Sequence, residues 1–211
     1  LKRLHIRERW IGQGLYINNG AKLTINDLAL KTNGNVNNGN PGAGARIQNS
    51  TVTFNNAIID SNYTNGGNGG GIDSEGSHIT INNSQINDNV GRGGGVFSQN
   101  DSSYTMTNVT VARDSSDNYA GGLSFNSTRG RVTLTNVSID NNVCQAGDGG
   151  GGIYANHTNL YINKSSITNN RHNNSQGGGL YFFSALQATA GPINTLEINN
   201  TSFIGNQSLQ N

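Results

Sequence analysis

"GGGIDSEGSHITINNSQINDN", Gly69 to Asn89, returns later in the chain as "GGGIYANHTNLYINKSSITNN", Gly150 to Asn170. Both stretches are 21 residues long, and their glycines, aliphatics and asparagines fall at matching places. A repeat of this length has to be read before any single element, because it governs the whole architecture. The aliphatic residue after the glycines recurs as Leu15, Ile47, Ile72, Val96, Leu123, Ile153 and Leu180, at spacings of 32, 25, 24, 27, 30 and 27. Each unit then carries a second apolar pair with one residue between its members. These pairs are Leu23/Ile25, Val52/Phe54, Ile79/Ile81, Tyr104/Met106, Val132/Leu134, Leu160/Ile162 and Leu196/Ile198. Five residues on stands another apolar residue (Leu30, Ile59, Ile86, Val111, Ile139, Ile167 or Phe203), and three further on Asn33, Asn62, Asn89, Asp114, Asn142, Asn170 or Asn206. Insertions fall only outside these fixed offsets.

Inside each unit the apolar residues alternate with Thr, Asn and Ser, and a period of two specifies strands. No spacing near 3.6 recurs, and the 30 glycines and many asparagines are poor helix formers. A short strand cannot bury its apolar side alone, so each unit must stack on the next. The sequence therefore predicts an all-β fold: a right-handed parallel β-helix of about seven three-strand coils, one domain over residues 1–211. With strands about 4.8 Å apart, the rod is on the order of 34 Å long. Leu1 to Trp10 is expected to enter as a strand or to end a preceding coil. The chain thus reads as a piece of a longer protein, and uncapped coils leave end-to-end contacts open. Two corner columns follow, the Asn33 series and a second one of Asp27, Asn56, Asn83, Asn108, Asn136, Lys164 and Asn200. Asparagine tolerates left-handed backbone there and hydrogen-bonds to its copy one coil away.

Charged residues make up 12% of the chain, half the roughly 25% of an average soluble domain, and the net charge is +1. Such a chain has no electrostatic footprint for nucleic acid or an anionic membrane. It holds no apolar run of the length a membrane helix needs, so no insertion of this segment is expected. Cys144 is the one cysteine, which rules out an intrachain disulfide.

The units "GGGI", "GGGV", "GGL", "GGGGI" and "GGGL", each followed by a strand and then I-x-x-N or "FIGN" (Phe203 to Asn206), resemble the repeats of polymorphic outer membrane proteins. That family alternates GGA-I/L/V with F-x-x-N in a β-helical autotransporter passenger, and the resemblance covers roughly Gly42 to Asn206. It is also similar to the broader class of right-handed β-helix repeats in large bacterial surface and secreted proteins. The resemblance implies an exported, adhesive protein, extracellular or associated with the outer membrane.

A site on such a rod is built from outward side chains of adjacent coils. Alternation places Tyr16, Gln48, Asp73, Phe97, Ser124, Tyr154 and Tyr181 outward on the first strand. Phe97, Tyr154 and Tyr181 are candidate sugar-binding aromatics in that column. On the second strand Thr24, Thr53, Thr80, Thr105 and Thr133 point outward, beside Asn26, Asn55, Asn82, Thr107 and Thr135. This array is a candidate binding face; regular threonine arrays on flat strand faces also suit ice. Acid-base catalysis needs clustered carboxylates. Asp73 has no carboxylate beside it, Asp60 and Asp140 lie three coils apart, and Asp88 is placed to pair with Arg113. His78 and His157 are expected in variable loops and His172 in an inter-coil loop, so no catalytic residue, metal or cofactor is assigned. The long insertion "YFFSALQATAGPINT", Tyr181 to Thr195, is the one loop long enough to build a separate site. The leading expectation is a non-enzymatic module that binds a host-surface protein or glycan. The alternatives are a β-helical polysaccharide lyase or hydrolase fragment, and an ice-binding rod.

Overall fold

The alternating apolar residues of each unit form parallel strands that pair only with their counterparts one unit away. The computed structural model describes residues 4–7, 12–35, 42–126, 130–174, 176–184 and 194–209. All strand pairs are parallel, and the sheets stack as a β-solenoid of about six turns. First strands (Leu15–Ile17, Ala45–Gln48, Ile72–Glu75, Val96–Gln99, Leu123–Asn126, Ile153–Asn156, Leu180–Phe183) make one seven-stranded sheet. Second and third strands share a twelve-stranded sheet, since in the middle coils they run on as single strands, His78–Asn87, Ser103–Ala112 and Arg131–Asp140. Leu4–Arg7 joins this sheet by pairing with the third strand Leu28–Lys31, and the rest of the Leu1 to Trp10 stretch lies outside the described residues.

A fourth strand of two residues per coil adds to the three expected from the sequence. Its copies, such as Tyr63–Thr64, Val90–Gly91, Val143–Cys144 and Arg171–His172, form a further seven-stranded sheet. Two residues are too few for an alternation to be visible in the sequence. In the second coil the register also departs from the expected one. Ala45, not Ile47, pairs with Ile72, and Ile47 pairs with Ser74. The first inward residue after the glycines is here a small alanine, and Arg46 rather than Gln48 stands beside Asp73.

The second and third strands meet at one residue with left-handed backbone: Asp27, Asn56, Asn83, Asn108, Asn136, Lys164 and Asn200 all have φ between 49° and 57°. Such backbone costs an L-residue roughly 1–2 kcal/mol, least for Asn and Asp. The column of asparagines is the cheap solution, and Lys164 is the exception.

Inside the rod, Leu30, Ile59, Ile86, Val111, Ile139 and Ile167 stack in one fully buried apolar row. Next to it runs the ladder the repeat predicts. Asn33 Nδ2 donates to Asn62 Oδ1 at 2.9 Å, Asn62 to Asn89 at 2.9 Å, Asn142 to Asn170 at 2.9 Å and Asn170 to Asn206 at 3.0 Å. From Asn62 onward the ladder's Nδ2 groups also reach a carbonyl of the preceding coil: Asn62 bonds Leu30 O, Asn89 bonds Ile59 O, Asn142 bonds Val111 O and Asn170 bonds Ile139 O. The polar spine is thus satisfied within the core, as buried polar groups must be. It also fixes the glycines. A Cβ at Gly122 would lie 2.7 Å from Gly152 O and 3.1 Å from Asn142 Nδ2.

Asp114 breaks this pattern. Its Oδ1 accepts from Asn89 N at 2.7 Å and Asn89 Nδ2 at 2.9 Å, but the buried Oδ2 has no hydrogen-bond partner. Oδ2 faces Gly95 as Nδ2 of Asn62, Asn89 and Asn142 faces Gly44, Gly71 and Gly122, so it takes a donor's place. Burial pushes its pKa well above the usual carboxyl range, against the opposing pull of the Asn89 hydrogen bonds.

Serine forms a second hidden spine that the sequence reading did not single out. At the corner before the second strand, the Ser50 amide donates to Ser77 Oγ and the Ser77 amide to Ser102 Oγ. After the left-handed residue, Ser84 Oγ accepts from the Ala57 amide and Ser165 Oγ from the Val137 amide. These hydroxyls satisfy amides that the kink withdraws from the strand ladder.

Candidate functional site

The first-strand column is present but covered. Phe97 is 1% exposed and Tyr154 is 6% exposed, so neither offers the free ring face expected from alternation. The cause is the loop after Ser115–Ser116. Ser116 Oγ accepts from the Asn118 and Tyr119 amides, and Ser124 Oγ accepts from the Ala120 amide at 2.9 Å. So anchored, Tyr119 lays its ring 5.2 Å from that of Phe97 and 5.4 Å from that of Tyr154. Ser124, which interrupts the aromatics in the sequence, is the peg for their cover. Tyr181 stacks on Tyr154 at 5.8 Å and remains half-buried, with Phe183 stacked beyond it at 6.4 Å.

In the same column Asp73 is buried beside Arg46, with Arg46 Nε 3.7 Å from Asp73 Oδ2. Burial raises the Asp73 carboxyl to about 7, with Arg46 pulling against it. Several other charged groups are paired at the surface. Arg113 forks onto Asp88 at 2.9 and 2.7 Å, the pairing that the columns predict. Lys31 reaches Asp60 at 2.9 Å. Partial burial by itself would raise the Asp140 pKa, but hydrogen bonds from Thr168, Asn169 and Asn141 outweigh it and lower the value. Glu75 accepts from Gln48 Nε2 at 2.9 Å and from Asn100 Nδ2 at 2.6 Å.

His157 stands in the bend between Ile153–Asn156 and Asn159–Asn163, as expected, but His78 and His172 lie in strands and not in loops. His78 opens the second strand of its coil, with Nδ1 2.6 Å from Ser103 Oγ. His172 sits in a fourth strand, fully buried, and burial lowers its pKa. Cys144 pairs with it in register, also buried, and burial pushes that thiol up to about 12. A thiol held protonated in this way is no nucleophile. Among the described residues, no group of three or more His, Cys, Asp or Glu could hold a metal ion.

The threonine column is in register: Thr24 pairs with Thr53, Thr53 with Thr80, Thr80 with Thr105 and Thr105 with Thr133. All five are exposed or half-exposed. Beside them Asn55 Nδ2 donates to Asn26 Oδ1 at 2.8 Å and Asn82 Nδ2 to Asn55 Oδ1 at 3.0 Å. The neighbouring amides hold each other in one orientation. The row ends at Thr133, where Arg131 lies 3.9 Å above the Tyr161 ring and donates from Nε to Thr133 Oγ1 at 3.2 Å.

Round the corner from this face, the kink between second and third strands forms a groove of about 900 Å³. It is lined by the left-handed column, Asn108, Asn136, Lys164 and Asn200, and by the residues that follow each member, including Thr110, Ser138, Ser166 and Ser202 with Val109 and Val137. Asn136 Nδ2 donates to Asn108 Oδ1 at 2.8 Å, and Asn108 Nδ2 to Asn83 Oδ1 at 2.9 Å. Lys164 stops this outer ladder. Chemically, groove and threonine face together offer amides and hydroxyls, donors and acceptors side by side, with little charge. Residues 185–193 of the long insertion lie outside the described residues.

No family model, no curated protein and no solved structure matches the chain.

Proposed function

We propose that this solenoid is a non-enzymatic recognition rod, the adhesive passenger segment of an exported bacterial protein, and that it binds glycans on a host surface. The observation that carries this reading is the registered neutral face, Thr24 to Thr133 flanked by mutually bonded asparagines. Sugars present arrays of hydroxyls, and a fixed lattice of amides and hydroxyls meets them with little ordering of side chains on binding. The lattice is held in place by the parallel strand register and by the buried apolar residues Val52, Phe54, Ile79, Ile81, Tyr104 and Met106 that alternate with it. The enzyme alternative calls for two carboxylates facing each other across a cleft. The described carboxylates Asp60, Asp88 and Asp140 are instead each tied to neighbouring side chains.

A glycan array probed with the purified chain is the test. Binding is expected to fall when Thr80 and Thr105 are replaced together by leucine, with the fold retained by circular dichroism. A chain that binds no glycan on the array refutes the reading. The five threonines in register also favour a second reading, an ice-binding face. It predicts thermal hysteresis and shaped ice crystals for the wild type and neither for the double leucine variant.

A further inference from the structure

Lys164 stands where the repeat asks for asparagine. It adopts the left-handed backbone, φ 50°, that its column otherwise gives to Asn and Asp. It ends the outer ladder, since Asn136 receives no side-chain bond like the one it gives Asn108. Its ammonium has no hydrogen bond or ion pair to another described side chain, whereas Lys31 and Arg113 are each paired with a carboxylate. A residue held in a disfavoured conformation without local compensation points to use at that position. Its surroundings are the groove along the kink, where it is the one charged residue among the lining amides and hydroxyls.

We propose that this groove binds an anionic oligosaccharide, with the acid group held by Lys164 and the ring hydroxyls by Asn136, Asn200, Ser138 and Ser166. A single point charge in a neutral groove suits a ligand with widely spaced charges and many hydroxyls. A nucleic acid would need a basic track, because its affinity comes from many phosphate contacts. The inference rests on the glycan-binding reading above and deepens it, adding to the threonine face a second contact in the groove that selects for an acid group.

The test is calorimetric titration of the full chain with three probes: a short linear oligouronate, a sulfated oligosaccharide of similar length, and a neutral oligosaccharide. The oligouronate or the sulfated probe is expected to bind, more weakly as salt rises, and whichever binds more tightly identifies the acid group. Lys164→Asn restores the column's own residue, so the variant is expected to fold at least as well as wild type. It should bind the anionic probe about tenfold to a hundredfold more weakly, the range for losing one hydrogen bond to a charged group. Lys164→Arg should keep most of the binding. Equal binding by wild type and Lys164→Asn, a neutral probe bound as tightly as the anionic ones, or no binding of either anionic probe overturns the proposal. A protein that binds only neutral glycans fails here while the recognition-rod reading stands; a protein that binds no glycan at all fails both.

Discussion

Replacing Asp114 with asparagine should make the protein more stable at neutral pH. The ladder residues Asn62, Asn89, Asn142 and Asn170 each donate from Nδ2 to a carbonyl of the preceding coil and to the next ladder oxygen. By the same register, the side-chain amide that Asp114→Asn introduces would meet Ile86 O and Asn142 Oδ1. In the wild type that place is taken by Oδ2, which is buried with no hydrogen-bond partner. An unpaired buried polar atom costs about 1–3 kcal/mol. For a chain of this length that corresponds to a Tm increase of about 2–4 °C per kcal/mol recovered. The pH dependence carries the sharper signature. Because burial raises the Asp114 pKa in the folded state, the native protein holds its proton at a pH where the unfolded chain has released it. The wild type is therefore favoured by this group below the unfolded carboxyl value of about 3.9, and loses that stability as pH rises toward the native value. Asparagine does not titrate. Urea unfolding of both proteins at pH 4, 6 and 8 should show the variant's advantage growing with pH, while contributions from Asp73 and Asp140 cancel in the difference. A variant no more stable than wild type at pH 8, or an advantage equal at pH 4 and pH 8, would refute the argument.

Further outcomes follow from the same spine. Asn62→Ala removes donors to Leu30 O and Asn89 Oδ1 and an acceptor for two Asn33 nitrogens, so urea unfolding should show a loss on the order of 3 kcal/mol. An exposed polar change such as Gln145→Ala is expected to fall within about 0.5 kcal/mol of wild type in the same assay. Cys144, buried and with its thiol raised to about 12, should resist iodoacetamide at pH 8 in the folded protein and react once urea unfolds it. Rapid alkylation of the folded chain would show that the fourth-strand sheet opens.

The sequence carried the inner architecture well, because every inward position is repeated under the same constraint. The offsets of five and three place Ile59, Ile86 and Ile139 in one row and Asn62, Asn89 and Asn142 on one spine. Outward positions were less legible, since what covers them is decided by loops that do not repeat. Phe97 and Tyr154 alternate as exposed residues should, yet Tyr119 from a neighbouring loop closes over both. The serine spine hid for a different reason. Ser50, Ser77 and Ser102 read as ordinary turn residues, and only the structure shows the hydroxyls of Ser77 and Ser102 each accepting an amide from the coil before it. Lys164 was visible as the odd member of its column. Its groove was not, because a concave surface arises from the kink angle and not from residue type.

The bonds between coils run along the length of the rod, each coil held to the next by the parallel strand ladders. Tension applied to the two ends therefore loads them one row at a time, as in a zipper, and not all rows together. Successive first strands are 24 to 30 residues apart, from Ile72 to Val96 and from Leu15 to Ala45. Each row that parts releases about 80–110 Å of slack chain at 3.3–3.6 Å per residue. A rod of this design yields to pulling in measured steps, and a body tethered through it would be let out by degrees before it was let go.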